Sequence, residues 1–180
     1  MKTLIFHGSA RKNGHTSKVV NLIADKIPGE IEIIHAYDKL VKPCIACGYC
    51  NNVKGCSIKD EMQDYYKKID DADNIIVVSP IYCLGAPAPL KLIIDRTQVY
   101  WNGKNRGDDE PNSKKGAYVL IGGSPSFKTQ FDGSKPAVKE FLRCTGCKVL
   151  AEVFFPNSDR TSIENEREIL ENLKKLIAFF

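Results

Sequence analysis

Five short apolar runs alternate along the chain with segments of helical apolar spacing, and this alternation limits the fold more than any other feature. The runs are Leu4-Ile5-Phe6, Ile31 to Tyr37, Ile75-Ile76-Val77-Val78, Gly116 to Ile121 and Lys148 to Phe155. Most lack the polar-apolar alternation of a half-exposed sheet, so they read as strands covered on both faces. Helical spacing links Val19, Val20, Leu22, Ile23 and Ile27 between Ser17 and about Lys26, where Pro28-Gly29 ends the segment. It recurs in Met62, Tyr65, Tyr66 and Ile69 within Asp60 to Asp70, and in Leu90, Ile93, Ile94 and Val99 behind Pro87 and Pro89, to about Tyr100. Ser134 to Arg143 and Ser162 to Ala178 complete the set; the last carries the stripe Ile163, Ile169, Leu170, Leu173 and Ile177. The pattern predicts an α/β fold with a five-stranded parallel sheet between two helical layers. At 180 residues and 43% hydrophobic composition, one domain over residues 1–180 is expected.

Two stretches carry no such spacing. Residues 38–58 hold four cysteines and are expected to form a long functional loop inserted after the second strand. Trp101 to Lys115 turns to Asn, Gly, Asp, Glu, Pro and Lys, which predicts a surface loop serving as a lid, a subunit contact or a solvated linker.

Charge excludes some functions. The 26 basic and 22 acidic residues are spread along the chain without a basic stripe, so no nucleic-acid partner is expected. Met1 leads straight into the first strand, and no run approaches the ~20 apolar residues of a membrane span. A soluble, cytoplasmic protein with no membrane partner is the expectation, and in a reducing compartment its seven cysteines read as thiols or metal ligands.

In parallel sheets ligands gather at the carboxyl ends of the strands, where the strand order reverses. After the first strand come Gly8, Ser9, Arg11, Asn13, Gly14, Thr16 and Ser17, where a helix should begin. Hydroxyls and free N–H groups at a helix start, beside an arginine, suit a phosphate dianion. The loop lacks the glycine spacing of nucleoside-triphosphate and dinucleotide sites, which favours a terminal monophosphate. Taken alone it is equally an ordinary capped strand-to-helix connection. The third strand ends in Ser79-Pro80-Ile81-Tyr82 and the fourth in Gly122-Gly123-Ser124, and a strand order of 2-1-3-4-5 would bring all three turns to one edge. A phosphate carried by a polar chain on a flat ring would span them, as FMN does, with Gly122-Gly123 admitting the backbone close to a ring edge.

These turns, with Gly85-Ala86-Pro87-Ala88-Pro89-Leu90-Lys91 and the pair Asp95-Arg96, resemble the NADPH-dependent FMN reductases of the flavodoxin-like superfamily over nearly the whole chain. The resemblance implies a flavodoxin-like three-layer sandwich. It places Ser9, Arg11, Asn13, Thr16 and Ser17 on the FMN phosphate, with His15 in the same loop where relatives commonly carry a small polar residue such as Asn. Pro80, Ile81 and Tyr82 would lie along the ribityl chain and ring, and Gly122, Gly123 and Ser124 at the far ring edge. It also implies a homodimer or higher homo-oligomer.

Cys44-Ile-Ala-Cys47-Gly-Tyr-Cys50, followed by Cys56, is a compact thiolate run of the sort that wraps a 4Fe-4S cluster; structural zinc usually draws its ligands from two separated knuckles. The loop resembles the cysteine motif of iron-sulfur flavoproteins, but the four thiols could equally line a loop that holds no metal. Cys83 reads as a small packed thiol, Cys144 and Cys147 as structural. His7 and His35, in strands, offer no convincing ligand or base.

No Ser-His-Asp set, carboxylate pair or zinc helix competes with a flavin reading. An FMN-dependent oxidoreductase is expected, taking hydride from NAD(P)H and reducing a small acceptor such as a quinone or flavin. Alternatives are one-electron exchange between a 4Fe-4S cluster and FMN with a ferredoxin-like protein partner, and a flavin-free interaction protein on the same fold.

Overall fold

The computed structural model describes residues 1–108 and 113–180. Strands β1 (Lys2–His7), β2 (Glu30–His35), β3 (Asn74–Pro80), β4 (Lys114–Ile121) and β5 (Cys147–Phe155) form one all-parallel sheet in the order 2-1-3-4-5. This is the expected flavodoxin-like arrangement, with the order reversing between β1 and β3.

Each strand sends alternate side chains into two separate cores, which is why the runs read as uninterrupted apolar sequence. Ile5, Ile76, Val78, Val119 and Phe155 pack under helices α1 (His15–Ala24) and α7 (Arg167–Ile177), through Val19, Ile23, Leu173 and Leu176. Leu4, Phe6, Ile75, Val77, Tyr118 and Leu120 pack under α3 (Met62–Asp71), α4 (Ala88–Arg96) and α6 (Lys135–Cys144). No helix among the described residues is long and apolar enough to cross a membrane.

The expected surface loop from Trp101 is corrected in its first half. The chain breaks at Thr97, whose hydroxyl donates to Ile94 O at 2.6 Å, and then turns into α5 (Gln98–Arg106). Asn102 and Gly103 are buried, and Asn102 bonds to Cys50 and Asn51 of the cysteine loop, so its polarity serves the interior rather than solvent. Gly107, at φ 82°, ends the helix. Residues 109–112 of the expected loop lie outside the described residues. Smaller differences occur elsewhere. A one-turn helix α2 (Tyr49–Asn52) sits inside the cysteine loop, and Ile163–Asn165 form a separate 3-10 turn before α7. Cys144 and Cys147 are buried free thiols, as expected, and burial pushes both up to about 11.

Candidate functional site

The strand order reverses between β1 and β3, the point at which sheets of this kind leave a crevice, and the loop from Gly8 to Gly14 leaves β1 there. Gly8 N–H donates to Val78 O at 2.8 Å, so the loop leaves β1 clamped to its neighbour. Beyond it, α1 begins at Gly14 with no side-chain cap and no acidic residue in its first turn. Its leading N–H groups, of His15, Thr16 and Ser17, have no hydrogen-bond partner among the described residues and carry the partial positive charge of a helix start. The Thr16 hydroxyl makes no hydrogen bond among the described residues, and Arg11 stands exposed without an ion pair among them. Asn13 is also exposed. His15 lies edge-on to Phe155 with ring centroids 5.4 Å apart, and its buried Nδ1 has no partner among the described residues.

His7 braces this loop from beneath. Its Nδ1 accepts the Ser9 N–H at 3.3 Å, which leaves the proton on Nε2 to be donated to Ser17 Oγ at 2.9 Å. Ser17 in turn donates to Arg11 O at 3.1 Å, and Ser9 Oγ accepts the Arg11 N–H at 3.1 Å. Ser9 and Ser17 thus shape the loop with their hydroxyl oxygens, and the Ser17 backbone N–H remains for a ligand. As a strand-end histidine inside an apolar run, His7 gives no hint of this role in sequence; only the fold brings it under Ser17.

The next turn follows β3. Ile81 N–H donates to Ile121 O at 2.9 Å, which prolongs the sheet. Tyr82 and Gly85 then exchange two 2.9 Å backbone hydrogen bonds around Cys83 and Leu84, whose φ angles are 48° and 63°. Two positive φ values define a type I′ turn, for which Asn-Gly is the usual choice. Side chains here cost roughly 1–2 kcal/mol each. The Leu84 carbonyl is seated against Gly133, where a Cβ would come within 2.4 Å of it. Cys83 is exposed at the tip, which corrects its reading as a packed thiol. Tyr82 is 44% exposed and Tyr37, at the end of β2, 38% exposed. Burial pushes the Tyr37 phenol above its ordinary range, with Tyr82 near enough to add to the shift.

At the third turn Gly122 N–H donates to Phe155 O at 2.8 Å, while Gly122, Gly123 and Ser124 carbonyls accept from Ser158, Asp159 and Asn157. Gly123 and Ser124 N–H make no hydrogen bond among the described residues, and the room left by the missing Cβ atoms of Gly122 and Gly123 is taken by the Gln130 amide and the Asp159 carboxylate. The expected Ser9–Ser17, Pro80–Tyr82 and Gly122–Ser124 groups therefore stand at the carboxyl ends of three adjacent strands.

The cysteine loop packs against α3, α4 and α5, through Gln63, Arg96 and Asn102. Cys44 and Cys47 are exposed, Cys50 and Cys56 half-buried, and among the described residues no group of three or more His, Cys, Asp or Glu side chains is disposed to hold a metal ion. The thiol set matches a cluster in number and type, but this arrangement does not form its cage. Polar groups do address individual sulfurs. Asn102 Nδ2 donates to Cys50 Sγ at 3.1 Å, and the Ser57 hydroxyl lies 3.4 Å from Cys47 Sγ, where it and the Tyr49 N–H hold that thiol below the usual cysteine range.

Sequence comparison settles the family. The family profile described as NADPH-dependent FMN reductase matches residues 1–132, from β1 through all three turns. The chain belongs to that family. Among similar proteins are iron-sulfur flavoproteins of Methanocaldococcus jannaschii, 35% identical over 69% of this chain and 63% of that one, and of Methanosarcina thermophila, 33% identical over 69% and 64%. The match thus spans a little under two thirds of those relatives' length. Among solved structures, Smu.1420 of Streptococcus mutans superposes with a TM-score of 0.71 at 18% identity over the full length of both chains. A Bacillus anthracis azoreductase gives 0.69 at 14%, over 99% of this chain and 98% of that one. At such identities these structures establish the fold.

In this FMN reductase family member the brace under the Gly8–Gly14 loop titrates. Burial, then the neighbouring His35, whose ring centroid is 4.6 Å away, lower the His7 pKa from its ordinary 6.5, against the opposing pull of backbone hydrogen bonds at His7 and Ser9 and of Asp38. Protonated His7 has no Nδ1 lone pair for Ser9. Because the folded value is the lower one, the unfolded chain takes up the proton first. The contribution is intact above pH 6.5 and is lost as pH falls through the lowered folded value. Thermal melts of the apoprotein should show a midpoint that drops below pH 6.5, and His7→Gln should flatten that limb; parallel profiles would remove His7 from this role.

Proposed function

We propose that this chain is an FMN-dependent oxidoreductase that takes hydride from NAD(P)H and passes electrons to a small acceptor such as a quinone or a flavin. One observation carries the reading: an uncapped helix start and the Thr16 hydroxyl follow β1, half-exposed Tyr82 follows the adjacent β3, and the Gly123 and Ser124 N–H groups follow β4. That set matches, in order, a phosphate, an aromatic ring and a ring edge. Bound FMN would supply the hydride and electron chemistry. The α1 N-terminus, Thr16 and Arg11 would hold the phosphate, and Ser9 and Ser17 keep the loop in shape for it. Tyr82 and the Pro80-Ile81 backbone would bound the ring and ribityl chain. Gly123 and Ser124 N–H are fixed donors suited to a ring edge that gains negative charge on reduction. The chain needs no acid or base of its own for this chemistry.

Tyr82→Ala should weaken FMN binding about ten-fold, within the ~1–3 kcal/mol of an aromatic stacking contact, and lower NAD(P)H-dependent turnover in parallel. A fluorescence titration with unchanged affinity would take Tyr82 out of the site. Protein that takes up no added FMN would overturn the whole reading in favour of a flavin-free role.

A second reading, one-electron exchange through a 4Fe-4S cluster on Cys44, Cys47, Cys50 and Cys56, is favoured by the cysteine spacing and by the iron-sulfur flavoprotein names of the similar proteins. It requires the loop to close further than it does here. Iron and sulfide in fixed ratio in anaerobically prepared protein would select it.

A further inference from the structure

The Asp95-Arg96 pair has no place in the cleft, and Arg96 lies instead beneath the cysteine loop. Its side chain is 1% exposed, an unusual setting for an arginine at a helix end. One guanidinium reaches both feet of the loop. Nη1 donates to Lys42 O at 2.9 Å, before Cys44, and to Asp60 Oδ2 at 3.0 Å, after Cys56. Nη2 donates to Asp60 Oδ1 at 3.1 Å and to Ile58 O at 3.4 Å. Asp60 closes the ring by accepting the Lys42 N–H at 2.8 Å. The base is locked to the core by the Tyr66 hydroxyl, which donates to Arg96 O at 2.8 Å. Burial alone would raise the Asp60 carboxyl, but its hydrogen bonds with Arg96 and the arginine charge outweigh this and keep it ionised.

We infer that Arg96 is the positioning residue of the cysteine loop: it joins residues 42 and 58–60 into a closed base, so the thiols between are presented on a preformed ring. A planar fork with donors in two directions can hold a carboxylate and two carbonyls together, whereas a lysine offers a point charge. A loop closed in advance has already lost the entropy that a thiol-seeking ligand would otherwise have to remove. The inference does not depend on whether FMN or a cluster binds.

Hydrogen exchange of the full-length protein, read by mass spectrometry over residues 49–53, tests it. Asn51 and Val53 amides there donate to Gly48 O and Tyr49 O, not to Arg96 or Asp60, and Asn102 and Arg106 of α5 hold Cys50 and Asn51 independently of the clasp. Removing one charge alone leaves its partner buried and can unfold the chain, whereas replacing both by apolar residues is often neutral. In Arg96→Met with Asp60→Leu, residues 49–53 should exchange at least about ten-fold faster while Lys2–His7 and Asn74–Pro80, whose amides touch neither residue, stay unchanged. Arg96→Lys should show the same local acceleration. Exchange over 49–53 within about two-fold of the parent, acceleration of all segments together, or full protection by lysine would each overturn the assignment.

Discussion

Gly8→Ala should destabilise the protein by about 1–3 kcal/mol, the usual range for an overfilled core site, and weaken FMN binding about ten-fold or more. A Cβ at Gly8 would fall 2.4 Å from Ser79 Oγ, 2.7 Å from Ser79 Cβ and 3.1 Å from Leu90 Cδ2. The backbone at Gly8 is not in the left-handed region, so alanine adds no torsional strain and the whole effect is contact. Relief requires the ends of β1 and β3 to move apart, and those ends carry the loop from Gly8 to Gly14 and the Tyr82 turn. Ser79→Gly removes both of the closest atoms, so the double variant should regain most of the lost stability in denaturant titrations and most of the affinity in flavin titrations. If Gly8→Ala binds FMN as tightly as the parent, close contact between the two turns is not what shapes the loop from Gly8 to Gly14.

Phe6→Ala should cost about 3–5 kcal/mol, the range for deleting a buried aromatic ring, against a total stability of roughly 5–15 kcal/mol for a domain. Phe6 is fully buried and meets Phe141 of α6 edge-on, with ring centroids 5.1 Å apart. The void would lie between β1 and α6, two residues before the loop that leaves for the cleft. A large fall in the urea midpoint with an unchanged slope is the expected result. A loss below about 1 kcal/mol would mean that neighbouring side chains collapse into the space, contrary to close packing around that ring.

Much of the architecture could be read from residue order because the physics is local. Apolar runs such as Ile75 to Val78 declare burial on two faces whatever they contact, and Pro87, Pro89 and the helical spacing of Leu90, Ile93 and Ile94 declare a helix start and its inner face. The three cleft turns were legible for the same reason: glycines, hydroxyls and a proline gathered where a strand stops. Misreadings arose where polarity served the interior. Asn102 suggests a loop in sequence because its partners, Cys50 and Asn51, lie some fifty residues away. Cys83 read as a packed thiol because residue type alone does not reveal two consecutive positive φ angles.

From the chain of residues alone come the layered sheet, its helices and the chemical character of the cleft, because spacing and residue type act within a few positions. What it leaves open, and folding decides, is partnership across distance. Arg96, between Lys42 and Asp60, owes its role to elements 54 and 36 positions away, and even His7, ten positions from Ser17, meets it only because the intervening loop folds back over the strand end. A buried donor finds its acceptor only through the tertiary fold, since desolvation makes the contact obligatory and topology determines what is near.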